Sequence, residues 1–221
     1  MARYLVVKDF RLLMRGAPIS GVVGLYGILM LAILSFAVDP GSAAARAWAG
    51  PLLWIVFWFT GETLIHQSFE REQERPVVEI VLAAVQHPEL WFWSKVCANT
   101  IAMFGLHAVM IGVFTVFFDW EWHDRLGMFA VTWISTMTGY TIVGHLLGAA
   151  LVGHAQRGLL YPMMLFPLLL GVFLIAARVT TMIFSGAGWH AILGPLRILW
   201  IADVLNGIVA LLFIPHLMRD E

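Results

Sequence analysis

Apolar residues fill this chain in blocks of about twenty, separated by short polar breaks, and a block of roughly that length is what a helix needs to cross a ~30 Å hydrocarbon core. The blocks lie at about 19–38, 50–67, 95–118, 127–151, 159–177 and 198–217, which predicts an all-α integral membrane protein with about six transmembrane helices. The breaks carry recognisable stop signals: Asp39-Pro40-Gly41 after the first block, Asp119 to Asp124 after the third, and Ser185-Gly186-Ala187-Gly188 between the last two. In the first block Gly21, Gly24 and Gly27 lie three apart and predict a flat side that another helix can approach closely. In the fifth, Pro162 and Pro167 are structural markers that predict a bent or broken helix.

Two segments have a different rhythm. Residues 1–15 mix Leu5, Phe10, Leu12, Leu13 and Met14 with one acid and four bases, as suits a helix lying on the membrane surface. In 76–88, Val77, Ile80, Val81, Ala84 and Val85 repeat at i, i+3, i+4, i+7 and i+8, with Pro76 suited to a first turn. That stretch is too short to span. It predicts a surface helix or one that docks into a groove of a partner, within a connection reaching from 68 to 94. No long repeat or linker divides the chain, so 1–221 reads as a single transmembrane domain.

Lys and Arg set the expected orientation. With the N-terminus inside, nine basic residues (Arg3, Lys8, Arg11, Arg15, Arg71, Arg75, Lys95, Arg157, Arg219) fall on inner segments, against four outside (Arg46, Arg125, Arg178, Arg197). Both termini and the 68–94 connection are therefore expected in the cytoplasm. The apolar run from Ile19 to Val38 is longer than a signal-peptide core of roughly 7–15 residues, so the first helix is read as uncleaved.

Composition narrows the chemistry. Only 12% of the 221 residues are charged, against about a quarter in soluble domains, and the net charge of −1 lacks the basic field that nucleic-acid binding requires. A single cysteine, Cys97, excludes an intramolecular disulfide and a multi-cysteine metal site, and no metal is assigned. No phosphate-cradling glycine loop, nucleophile elbow or His-Glu-x-x-His occurs, so no catalytic residue is assigned and any ATP must be bound by another chain.

Polar groups inside the blocks form a candidate intramembrane site: Glu62, His107, His145 and Asp203. Each has a structural alternative: for Glu62 a hydrogen bond to a neighbouring helix, for Asp203, near the start of the sixth block, that or proximity to the interface, and for the two histidines helix packing or a polar lining. His107 lies twelve residues before Asp119 and His145 twenty after Arg125, so the two imidazoles differ in depth, which argues against a facing haem-ligand pair without excluding one.

The chain resembles the haem exporter protein B (CcmB) family, type-2 ABC exporter permeases of bacterial cytochrome c maturation. The resemblance is carried by Lys8 to Arg15, by Leu53-Trp54-Ile55, by Ser68-Phe69-Glu70-Arg71-Glu72, by Val78-Glu79-Ile80-Val81-Leu82-Ala83, by Lys95 with Ala98-Asn99, and by Leu159 to Pro167 with its two prolines. It implies a permease in the inner membrane that couples ATP hydrolysis by a partner ABC ATPase to haem export, or to release of a haem-loaded chaperone. Haem would be cargo, not a resident cofactor. Implied partners are a second copy of the chain, the ATPase, a haem-handling membrane protein, a small membrane subunit, a periplasmic haem chaperone and the lipid bilayer. The residues expected to couple to the ATPase are Glu70, Arg71, Glu72, Val77, Glu79, Ile80, Val81 and Leu82. Three alternatives stay open on the residues alone: an exporter of lipid, polysaccharide or drug, a haem-binding redox protein using His107 and His145, and a scaffold subunit.

Overall fold

A computed structural model of the chain describes residues 6–7, 17–38, 42–73, 88–122, 125–151, 154 and 156–217. Within them the chain forms six long helices: α1 (Ala17–Ala37), α2 (Ala43–Gln73), α3 (Pro88–Phe117), α4 (Leu126–Ala150), α5 (Arg157–Phe184) and α6 (Trp189–Leu217). Five are long and apolar enough to cross a membrane, and α1 carries a shorter apolar stretch, Gly21–Ala37. The amphipathic 1–15 segment, apart from residues 6–7, and the whole of 74–87 lie outside the described residues.

Most helices outrun the apolar blocks that announce them. α2 starts at Ala43 because Ser42 is its cap: the Ser42 hydroxyl accepts the Ala45 amide at 3.0 Å, which satisfies one of the free N–H groups of the first turn. α3 starts at Pro88, where a missing N–H costs nothing. α6 starts at Trp189, nine residues ahead of the expected 198. Gly194, Pro195 and Arg197 are taken into its first turns rather than left as a loop. Of the two outcomes expected for α5, bent or broken, the break is not found. Pro162 and Pro167 sit inside a continuous helix, where they remove the donors for the Gly158 and Met163 carbonyls.

The α5–α6 turn closes by Schellman geometry. The Ala187 amide donates to the Met182 carbonyl at 2.9 Å and the Gly186 amide to the Ile183 carbonyl at 3.0 Å, with Gly186 at φ 95°, a conformation that glycine adopts without strain. From the start of α4, the Arg125 guanidinium donates to the Phe184 carbonyl at 3.2 Å and so ties α4 to the end of α5.

α2 and α4 are the central helices, with 61% and 56% of their spanning stretches buried, whereas α3, α5 and α6 bury 22%, 28% and 17% of theirs. Their crossing depends on Gly61, because a Cβ there would run into the Tyr140 ring. Of the glycines on α1, Gly27 makes a close approach, against Met110 and Thr60, while Gly21 faces open space. At the end of the bundle that carries the α3–α4 and α5–α6 turns, Phe114, Phe118, Trp120, Trp122, Phe129 and Phe184 pack ring on ring, the tightest pair being Trp120 and Phe184 at 4.0 Å. Trp120 and Trp122 of the α3–α4 turn thus plug that end, and Trp122 donates to the Thr115 hydroxyl at 2.7 Å.

A candidate polar site within the helix bundle

Polar side chains in an apolar helix are costly unless another helix satisfies them. α2 carries several on its inward face, and each finds a partner on a different helix. The Trp54 indole donates to the Thr180 hydroxyl of α5 at 2.8 Å. The Trp58 carbonyl accepts the Tyr140 hydroxyl of α4 at 3.0 Å. Thr60 meets His107 Nε2 of α3 at 3.2 Å, and Ser68 accepts the Asn99 amide of α3 at 3.0 Å. The last two pairs show the register: eight residues along α2 correspond to eight back along antiparallel α3, which is just over two turns of each.

His107 is fully buried and lies flat on Phe57, with ring centroids 4.1 Å apart and planes 8° from parallel. Its Nδ1 has no hydrogen-bond partner among the described residues. His145 is also fully buried, its Nδ1 2.7 Å from the Thr141 carbonyl one turn earlier. The Thr141 hydroxyl in turn meets that of Thr100 on α3 at 2.9 Å. His107 is ten residues, about 15 Å, from the α3–α4 end of its helix, whereas His145 is nineteen residues, about 29 Å, from the same end. The two imidazoles are not brought together.

Glu62 sits apart from both. It is half-buried on the stripe of α2 that also exposes Ile55 and Phe59, with Trp58 and His66 one turn to either side. Asp203 lies on α6, turned toward α4, where its carboxylate rests against the bare Cα of Gly139. One turn away the Trp200 indole donates to the Ser135 hydroxyl of α4 at 2.8 Å. The four candidates therefore occupy four separate helix contacts or surfaces rather than one cavity.

A second polar group gathers toward the Pro88 end of α3. Lys95 is buried to 2% exposure, its ammonium 5.0 Å from the centre of the Trp91 ring, and Arg157 is buried to 5% at the start of α5. The Asn99 amide that reaches Ser68 also donates to the Lys95 carbonyl at 3.1 Å. Nearby, Tyr161 is fully buried against Gly144 and His66. The spacing of polar residues on one face signals part of this set in the sequence: Thr60 and Ser68 are eight apart, and Lys95 and Asn99 four apart. The partnerships carry no such signal, since Trp54 and Thr180 are 126 residues apart. Of the expected coupling residues, Glu70, Arg71 and Glu72 belong to the last turns of α2, and their side chains lie outside the described residues. Val77, Glu79, Ile80, Val81 and Leu82 lie wholly outside them. Among the described residues no three His, Cys, Asp or Glu side chains gather as a metal site would require.

These features define a multi-pass helical membrane protein whose buried polar groups join helices to one another. The family model for the CcmB protein matches residues 1–219, and the chain belongs to that family. It is accordingly a permease subunit of the CcmAB haem-export ABC transporter in cytochrome c maturation, whose ATPase is CcmA. No curated protein and no solved structure matches the chain.

Proposed function

We propose that two copies of this permease, both termini in the cytoplasm of a bacterial inner membrane, receive the closure of two ATPase subunits through the 68–94 connection. The observation that carries the proposal is family membership over 1–219 in a chain that has no phosphate-cradling motif of its own. The amphipathic 76–88 segment, joined directly to central α2 and to α3, is the coupling element. Glu70, Arg71, Glu72, Val77, Glu79, Ile80, Val81 and Leu82 are its contact residues, and a surface helix of this kind suits docking in a groove. Glu62, His107, His145 and Asp203 serve the bundle at separate places.

Working partners beyond the ATPase are a haem-handling membrane protein, a small membrane subunit and a periplasmic haem chaperone. ATP hydrolysis releases the loaded chaperone rather than threading haem past a histidine pair. Burial of both imidazoles in packed helix contacts, about 14 Å apart in depth, favours that version.

Covalent haem staining of periplasmic c-type cytochromes in a strain lacking the gene tests the role. The expected result is loss of stain that the wild-type gene restores. Val81→Asp, or Glu79→Lys, is expected to leave the chain in the membrane but to separate ATP hydrolysis from stain recovery. Full recovery by both variants would remove the coupling assignment, and normal stain without the gene would shift the cargo to another amphiphile.

A further inference from the structure

α4 and α6 run in the same direction, since each starts at the end of the bundle that carries the aromatic plug. Between them lies a cavity of about 330 Å³, with Leu168 of α5 as its third wall. α6 lines it with Asn206, Val209, Phe213 and Leu217, three or four residues apart and so on one stripe, and α4 lines it from Val143 to Ala150. The stripe covers eleven residues, about 16 Å, along the helix axis and reaches the end of α6. Val209 is 40% and Phe213 56% exposed, so the cavity is a slot open to the outside of the bundle. Asn206, at its inner end, is the one polar residue on these walls.

The apolar blocks give the slot its level. Asn206 is near the middle of the 198–217 block and Leu217 is its end, Leu168 is the middle of 159–177, and Val143 to Ala150 fall in the second half of 127–151. All three helices therefore set the slot in one half of the membrane, from its middle to the Leu217 side. One leaflet of a ~30 Å core is about 15 Å deep, which the slot matches in length. Girth excludes a helix as the occupant: 330 Å³ spread over about 16 Å is a section of about 20 Å², whereas a helix with its side chains is about 10 Å across, or about 80 Å². A single side chain fills only a fraction of the length, and a polar headgroup would meet no hydrogen-bonding wall but Asn206. We propose that the slot holds one acyl chain of a phospholipid from the leaflet on the Leu217 side, its ester end at Leu217 and its methyl end at Asn206. The inference goes beyond the ATPase coupling proposed above and is independent of the cargo.

The test reconstitutes the permease with its ATPase in vesicles of phosphatidylethanolamine and phosphatidylglycerol that carry a trace of photoreactive phospholipid. Two probes are compared, one with a diazirine near the methyl end of an acyl chain and one with it near the ester. The expected result is that the first marks Val209 and the second Leu217, each several-fold above Ile208 and Leu212, which α6 exposes to 48% and 62% outside the slot. Val209→Trp fills the slot and is expected to lower labelling of Phe213 and Leu217 about tenfold, as for loss of roughly two buried methylenes, while Ile208→Trp leaves it unchanged. Even labelling of all exposed positions would overturn the proposal, since it would show only the fluid lipid around the bundle. Both probes marking the same residues would overturn it too, as would a slot left unlabelled because a second copy or another chain covers it, or Val209→Trp labelling equal to wild type. Should Val209→Trp fail to accumulate, the pattern of the two probes on the wild-type chain still decides.

Discussion

His107 has two ring nitrogens, and the bundle supplies a partner for one of them. Thr60→Val removes that partner and leaves a fully buried imidazole with no hydrogen bond, so it is expected to cost about 1 kcal/mol, the scale of interhelical polar contacts in membranes. His107→Phe keeps the stack on Phe57 and removes both polar atoms, and should cost less than Thr60→Val. Unfolding midpoints of the two purified variants, compared with wild type, read the difference; a larger cost for His107→Phe would mean the imidazole does something that packing does not explain. His107 was legible in the sequence as a polar residue inside an apolar block. Its alternatives were not decided there, because Thr60 is 47 residues away and only the α2–α3 register brings them together.

Helices in this protein are held at close range by missing side chains and by turn chemistry. Gly61→Ala pushes a methyl group into the Tyr140 ring at the crossing of the two central helices and is expected to destabilise by about 1–3 kcal/mol, the usual range for overpacking. Gly186→Ala forces a side chain into the left-handed conformation of the α5–α6 turn, at a cost of about 1–2 kcal/mol. Thermal unfolding in detergent checks both, and a Gly61→Ala midpoint equal to wild type would place Tyr140 elsewhere. At this scale the apolar blocks announced the six long helices among the described residues but not their ends. Hydropathy marks the part of a helix that lipid touches, whereas Ser42, Pro88 and Trp189 start theirs by capping and turn chemistry outside that part. The prolines of α5 carry the same lesson: a proline announces a lost hydrogen bond, and whether the helix bends or breaks there depends on neighbours that composition does not reveal; α5 runs on through both.

At the scale of the whole molecule the expected orientation rests on charge alone, and the turn at Gly188 makes it testable. With Cys97→Ser removing the single native cysteine, Gly188→Cys should react with a membrane-impermeant maleimide in intact spheroplasts, and Glu221→Cys only after permeabilisation. The opposite pattern would invert the topology and move the 68–94 connection away from any cytoplasmic ATPase. The aromatic plug bears on how such an ATPase would be felt. It gathers α3, α4 and α5 at the end of the bundle opposite the Gln73 end of α2 and the Pro88 end of α3, and Arg125 adds a polar clasp there. Helices pinned at one end behave as levers: Pro88 lies 26 residues or about 39 Å along α3 from Phe114, so a swing of about 10° about the plug carries its Pro88 end through roughly 7 Å while Phe114 hardly moves. A force applied at the far end would then be geared down before it reaches the opposite face, trading travel for thrust at the plug.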